Sequence, residues 1–342
     1  MKNETRLKFN KLAAHIAQLN GVPLATDKFS VDPTIQQKLE AAIQESTDFL
    51  KMINMVGVDE QSGAKLKLGT SGPVASRTNT SNTDRNPRDV GVLGDQEYKC
   101  LQTNFDTSYP YVKLDAWAKF PNFQPLLAGQ IVNQQALDRI MIGWNGTSAA
   151  AQTDLGANPL LQDVNKGWLQ NLREQAPGQV MHEVVAASGK VRVGPGGDYE
   201  NLDALVYDAI TLLAPWYQEN TGLRAIVSRK LLHDKYFPKI NQKQDATDEL
   251  ASQVLVTQKT IGGITGLVVP FFIQNAVLIT IPDNLSIYYQ NGARRRQLID
   301  EPKRDRVANY ESSNDAYVIE DNQLAVLIEN IELGDWSGGA GG

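Results

Sequence analysis

Between Gly57 and Asp95 the chain almost stops supplying the material of a core. The segment "LKLGTSGPVASRTNTSNTDRNPRDVGVLGD" is dominated by Gly, Ser, Thr, Asn and Asp and holds almost no large apolar side chains. Such a stretch cannot bury enough surface to offset the entropy of ordering it. Alternating strand-like runs flank it, "AKLKLG" before and "YKCLQTNFDTSYPYVKLD" after, the pattern of a two-stranded extension with a polar tip. Loops of this length inside compact domains are usually functional or disordered. The pattern predicts a body with a protruding arm, whose tip reaches a neighbouring molecule or serves as a tether.

The core must come from the chain on either side. Phe9, Leu12, Ile16 and Leu19 fall on one narrow stripe of a helix over Thr5 to Asn20, stopped by Asn20-Gly21 and Pro23. A linker, "VPLATDKFS", leads to a second helix with Asp32 as N-cap and Pro33 in its first turn. Ile35, Leu39, Ile43, Leu50 and Ile53 would form its apolar face. Pattern alone admits both a detachable first helix and one docked on its own domain. Farther on, "NFQPLLAGQIVNQQALDRIMIGWNG" predicts one long, partly buried helix from Asn122 to Gly143–Gly146, with Leu126, Leu127, Gln130, Ala136, Leu137, Ile140 and Met141 on overlapping faces. "LLQDVNKGWLQNLREQAP" predicts a second amphipathic helix closed by Pro177-Gly178.

From about Tyr199 the pattern is α/β. "ENLDALVYDAITLLAPWYQE" reads as helix, "LRAIVSRKLLHDKYFP" as strand then helix, and "LASQVLVTQ", "ITGLVVPFF" and "AVLITIP" as strands. "LSIYYQ", "RRRQLID", "AYVIED" and "QLAVLIENIEL" predict a closing antiparallel meander, and "GDWSGGAGG" a flexible tail. No solenoid repeat is present.

The most charged stretch lies in that last part, with Arg294, Arg295 and Arg296 followed by Asp300, Glu301, Lys303, Arg304, Asp305, Arg306 and Glu311. A nucleic-acid groove and a subunit contact are the two readings. Phosphate binding needs segregated basic charge, whereas this chain carries 33 Lys+Arg against 39 Asp+Glu, a net charge of −6. Interleaved signs mark ion-pair networks on a solvated or interface face, so the charge balance favours the contact. Arg294, Arg295, Arg296, Asp300, Glu301, Lys303, Arg304 and Arg306 are the candidate interface residues, pairing with carboxylates within or between subunits.

Enzymatic and metal chemistry find little footing. One cysteine, Cys100, excludes an internal disulfide and multi-cysteine zinc sites. In "EYKCLQTNF" it reads as a buried structural thiol. The three histidines, His15, His182 and His233, are far apart in the chain. "RVGPGGDYE" lacks the Lys-Ser/Thr of a phosphate loop and reads as a tight turn containing Pro195; "IGGITG" reads as a hairpin turn. No H-E-x-x-H, G-x-S-x-G or triad order occurs. No window approaches the roughly 18 apolar residues of a membrane span, and the N-terminus lacks the apolar centre of a secretory signal. No catalytic residue, cofactor or metal is expected, and no membrane partner.

The segments "ETRLKFN", "QESTDFL", "NPLLQDVNKGWLQNLREQAP", "GGDYENLDALVYDA", "PWYQE", "LLHDKYFP", "LASQVLVTQKTIG", "LSIYY" and "RVANYESSNDAYVIED" together resemble the major capsid proteins of peduovirus-type temperate phages with contractile tails. The resemblance implies an α+β fold of the Johnson, or Hong Kong-97-like, type. Residues 1–29 would be a removable scaffold-like helix, with proteolysis at Phe29-Ser30; 30–56 the N-arm; 57–115 an extended E-loop hairpin; and 116–198 a peripheral domain with a long spine helix. Residues 199–282 would be the axial domain, 283–334 return strands of the peripheral domain, and 335–342 a flexible tail. It further implies a structural virion protein that assembles in the host bacterial cytoplasm into hexamers and pentamers of an icosahedral shell. Its partners would be an internal scaffolding protein, a maturation protease, a portal at one vertex and packaged double-stranded DNA, held only non-specifically. A cargo-holding shell of the same fold and a soluble α/β enzyme are the alternatives.

Overall fold

The computed structural model describes residues 1–65, 69–70, 75–85, 91–92, 97–120, 123–232, 235 and 260–337. Much of "AKLKLG", the helix entry at Asn122, the side chain of Leu126, most of "LLHDKYFP", all of "LASQVLVTQ" and the tail from Gly338 lie outside the described residues. The chain divides into two compact units. One comprises Met1–Ser62, Lys99–Gln170 and Leu285–Val318, the other Gly63–Tyr98, Asn171–Asn284 and Ile319–Gly342.

The first unit is organised on the 14-residue strand Arg306–Ile319. It forms an antiparallel hairpin with Arg295–Glu301 and pairs antiparallel with Leu101–Asn104 and Thr107–Pro110. Leu285–Gln290 lies beside it and takes Asn54–Val58 in parallel. At the opposite edge, Phe29–Ser30 pairs antiparallel with Arg296 and Arg295. Four helices cover this sheet: α1 (Asn3–Leu19), α2 (Pro33–Glu45), α3 (Tyr111–Trp117) and α4 (Phe123–Asn145).

Helix α1 is docked on its own unit. Ile16 and Ala17, supported by Phe9 and Leu12, pack with Phe29, Tyr111, Leu114, Leu298 and Val307. Lys8 donates to the Ala118 carbonyl and Arg6 to the Asp300 carboxylate. Leu19 is exposed instead of completing the stripe, because the helix ends beside it. Asp32 caps α2 as expected, accepting from the Thr34 N–H at 2.8 Å. The helix stops at Glu45, however, and Leu50 and Ile53 are buried on and after the following 3-10 turn. The side chains α2 buries are Gln36, Glu40 and Ile43, while Ile35 and Leu39 stay half-buried.

The "YVKLD" run, expected to be extended, is helix α3. Pro110 stands at its N-cap, and Tyr111 and Leu114, three residues apart, turn into the cluster beneath α1. The long helix is present as α4, whose 23 residues span about 35 Å. Its C-terminal end carries Trp144, set 4.7 Å from Trp168 and 5.2 Å from Phe49 between ring centroids. A Cβ at Gly143 would lie 2.2 Å from the Trp168 ring, so glycine is what lets that indole reach the helix. The helix expected over "LLQDVNKGWLQNLREQ" forms only at α5 (Trp168–Gln175). The residues before it are held in turns, with Asn165 Nδ2 donating to the Asp315 carbonyl at 2.9 Å and Gly167 N–H to Gly146 at 3.0 Å.

The second unit holds a six-stranded sheet in the order Thr260–Ile261, Ile264–Val268, Arg224–Val227, Val277–Thr280, Val326–Ile328, Val180–Met181. Helix α6 (Leu202–Ala209), capped by Asn201 Oδ1 accepting from the Ala204 N–H at 2.9 Å, buries Leu202, Leu205, Val206 and Ala209 in its core. "IGGITG" is a hairpin turn, Gly262 and Gly263 at φ +58° and +83° linking antiparallel strands. The glycines of "RVGPGGDYE" have a purpose beyond the turn. A Cβ on Gly194 would lie 1.8 Å from the Gly334 carbonyl, and Val191–Val193 pairs in parallel with Ile331–Leu333. The loop is bare so that the C-terminal segment can lie against it. The closing strands therefore do not form one antiparallel meander. Arg295–Glu301 and Arg306–Ile319 stay in the first unit's sheet, while Val326–Ile328 and Ile331–Leu333 join the second unit's sheets.

Candidate functional site

Four segments of the first unit converge on a charge cluster sealed from solvent. Helix α2 brings Glu40, α4 brings Gln135 and Arg139, the segment before the hairpin brings Arg294, and the long strand brings Glu311, Ser313 and Asp315. Arg294 donates from Nη1 to Glu40 at 2.7 Å, from Nη2 to Glu311 at 2.5 Å, and to Gln135 Oε1 at 2.8 Å. Arg139 binds Asp315 through Nε at 3.1 Å and Nη2 at 3.2 Å, and pairs with Glu40. Both guanidinium groups are 0% exposed. Glu311, Ser313 and Asp315 alternate on one face of a strand, which stacks their polar atoms in a column facing α4.

Two fixed cations meet three carboxylates here, and the three do not titrate alike. Burial pushes Glu40 up, but Arg139 and then Arg294 outweigh it, and its pKa is lowered. Glu311 follows the same logic, burial being overcome by Arg294 and Arg296. For Asp315 burial wins over Arg139, with Glu40 adding repulsion, and its pKa is raised. Ser313 Oγ donates to Asp315 at 2.5 Å, adding a hydrogen bond to the ion pair that carboxylate makes with Arg139. Enclosed and mutually satisfied, it offers no open position to a substrate. It can fasten two helices to a strand, and breaking either cation out would strand a buried anion.

The charged residues singled out in sequence separate into three groups. Arg294 is inside the fold, its charge taken up within the chain. Arg296, Asp300, Glu301 and Arg306 are partly buried and paired. Arg296 Nε donates to Asn309 at 2.8 Å, Arg306 Nε to Glu301 at 2.6 Å, and Asp300 accepts from Arg6 and Tyr111. Arg295, Lys303 and Arg304 are exposed; Arg295 borders a hollow of about 310 Å³ shared with Lys28, Gln102, Asp106 and Tyr310. Phe29 is 8% exposed and Ser30 Oγ donates to the Gly292 carbonyl at 2.7 Å, so the Phe29-Ser30 bond lies in a paired edge strand. Cys100 is buried, its thiol pushed up to about 12 by burial and then by Asp315.

Sequence reasoning missed Glu40, Gln135, Arg139 and Asp315. The trace was there: Glu40 stands three residues from Ile43, and Arg139 three from both Ala136 and Ile142, so each charge shares a face with core residues. Among the described residues, no group of three or more His, Cys, Asp or Glu is placed to hold a metal, and no helix is long and apolar enough to cross a membrane.

Comparison with known proteins agrees along the whole chain. Residues 8–331 match the family model described as phage major capsid protein, P2 family. The chain is 46% identical to the capsid protein of Escherichia phage P2 over 346 aligned positions, covering 98% of this chain and 97% of that one. It is 43% identical to the major capsid protein of Serratia phage KSP20, covering 97% of each. A subunit of the satellite phage P4 procapsid that includes the size determination (Sid) protein superposes with a TM-score of 0.83 at 44% identity, covering 98% of this chain and all of that one. The capsid of an empty GTA particle matches at a TM-score of 0.51 and 15% identity, a likeness of fold alone.

Proposed function

We propose, from the premise that this chain belongs to the P2 family of phage major capsid proteins and is a structural subunit of the virion shell rather than an enzyme, how its parts serve assembly. The fold is Hong Kong-97-like, and the subunit assembles with copies of itself into a capsid. The proposal adds that it closes into hexamers and pentamers of an icosahedral shell around double-stranded DNA, in the host cytoplasm, aided by an internal scaffolding protein, a maturation protease and a portal. The observation that carries it is the likeness over nearly the whole chain to a procapsid subunit.

Within that reading, residues 1–29 form a removable segment cut at Phe29-Ser30, 30–56 the N-arm, 57–115 the E-loop, and 116–198 with 283–334 the peripheral domain. Residues 199–282 form the axial domain, to whose sheet the strand Val326–Ile328 of the returning segment is hydrogen-bonded, and 335–342 the tail. A protease needs an extended, unpaired substrate, whereas Phe29–Ser30 is paired with Arg295 and Arg296 and Phe29 is packed beneath α1. Cutting there requires the edge strand to peel away first, which couples processing to a change at the sheet edge. The exposed Arg295, Lys303 and Arg304 suit rim contacts, where complementary charge sets register more than affinity. The inward Arg294 serves the subunit's own stability.

Sedimentation velocity of the purified full chain, alone and with its candidate scaffold and protease, tests the reading. Ring-sized or shell-sized particles, followed by loss of the N-terminal segment, are the expected result. A persistent monomer or dimer under both conditions overturns it.

A further inference from the structure

The second unit carries two exposed apolar patches at opposite ends of its sheet, and the charges around them are of opposite sign. At the Arg224 end, Tyr207 is 72% and Trp216 50% exposed. Both stand at this end: a Cβ on Gly262, in the turn here, would touch Val206 and the Tyr207 N–H, and Trp216 lies 5.8 Å from the Tyr217 ring. Tyr217 Oη donates to Asp321, which is joined through Asn284 to Thr280, the strand partner of Arg224. Asp208 and Glu219 are exposed beside the aromatics; Asp208 accepts from Tyr199 Oη at 2.6 Å. Arg224 is turned away onto the carbonyls of Thr221 and Leu223, 3.2 and 2.9 Å distant.

At the Val227 end the chemistry is reversed. Val268 is 36% and Phe271 38% exposed, and Phe271 is held at φ +60°, a conformation disfavoured for a bulky residue and retained where surrounding structure imposes it. Ser228 Oγ donates to the Gln274 carbonyl at 2.9 Å, tying this loop to the end of the strand Arg224–Val227. Arg229 and Lys230, the next two residues, are exposed.

We propose that these two ends are the halves of one head-to-tail contact between copies of the chain, the acidic Tyr207–Trp216 end of one subunit receiving the basic Phe271 end of the next. Three observations favour a second copy as the occupant. Each end carries an apolar centre flanked by charge, the composition of an interface core with its rim. The signs match only when unlike ends meet; pairing like ends would set acid on acid or base on base. The ends also stand at opposite poles of the strand, so the contact is head-to-tail, which closes a symmetric dimer in no case and builds the repeating contact a ring needs. This rests on the ring-forming reading above and deepens it by naming the surfaces.

The test is a charge reversal read by sedimentation velocity on the full chain at low ionic strength. Glu219→Lys alone and Arg229→Glu alone each set like charges together and should reduce the ring-sized or larger fraction by about tenfold or more. The Glu219→Lys/Arg229→Glu double variant restores opposite signs and should recover assembly. Phe271→Asn, a residue that tolerates positive φ, removes the aromatic ring while sparing the backbone. It should impair assembly with an unchanged urea midpoint for the dissociated subunit. Single variants that assemble like the parent chain, or a double variant no better than either single, overturn the proposal while the parent's particles uphold the shell reading. If the parent chain forms no rings under any condition, the ring-forming reading fails and this contact falls with it.

Discussion

Arg294→Met is the most informative perturbation of the subunit itself. The guanidinium makes four hydrogen bonds, two to Glu311, one to Glu40 and one to Gln135. Methionine fills similar volume and removes all four. Glu40 keeps Arg139, but Glu311 loses its direct ion pair and is left with Gln135 Nε2 at 3.3 Å and the more distant charge of Arg296. Removing one partner of a buried pair costs about 3–5 kcal/mol, because an uncompensated charge stays enclosed. That is a large share of the roughly 5–15 kcal/mol by which a domain is stable. In urea it corresponds to a midpoint lower by about 1–2.5 M at a slope near 2–3 kcal/mol/M. Arg295→Met, one residue along but exposed, should stay within about 0.5 kcal/mol of the parent. Equilibrium unfolding of dissociated subunits followed by tryptophan fluorescence compares the two, Trp144 and Trp168 being buried in the same unit. Equal midpoints for the two variants would refute the cluster's role in holding the fold.

Further tests address other parts of the structure. Gly143→Ala drives a methyl into the Trp168 ring and should cost about 1–3 kcal/mol or more by overpacking, with a red-shifted tryptophan emission as its mark. Glu40 and Glu311 have lowered pKa values, so the stability they contribute is present above their ordinary 4.5 and lost as pH falls through the lowered values. Glu40→Gln should flatten that acid limb in urea midpoints taken across pH. Asp315 has the opposite sign: its raised pKa contributes stability below its ordinary 3.8 that is lost as pH rises through the raised value. Asp315→Asn should shrink the decline on that side. Cys100, buried and raised to about 12, should resist thiol reagents in the native subunit and react on unfolding; rapid native labelling would contradict its enclosure.

Much of the local structure was legible because its causes are local. Asp32-Pro33 marks a helix start by the side-chain oxygen and fixed φ it provides, Gly262-Gly263 a hairpin by the positive φ both positions need, and 23 residues of helix-forming sequence made α4. The ordered spread of family-like segments from one end to the other identified the shell fold. What sequence could not show was partnership across distance. Arg294 and Arg295 are neighbours of one type, yet successive side chains along extended chain point to opposite sides, so one is sealed against Glu40 and Glu311 while the other meets solvent. Glu40 lies 254 positions from Arg294, and no spacing rule joins them. The tertiary fold likewise decided that α1 docks on its own unit, that the last strands divide between two sheets, and that a glycine-rich loop makes room for the C-terminal segment. Each depends on which surfaces meet once the chain is compact, and that is settled by burial and charge pairing summed over the whole fold.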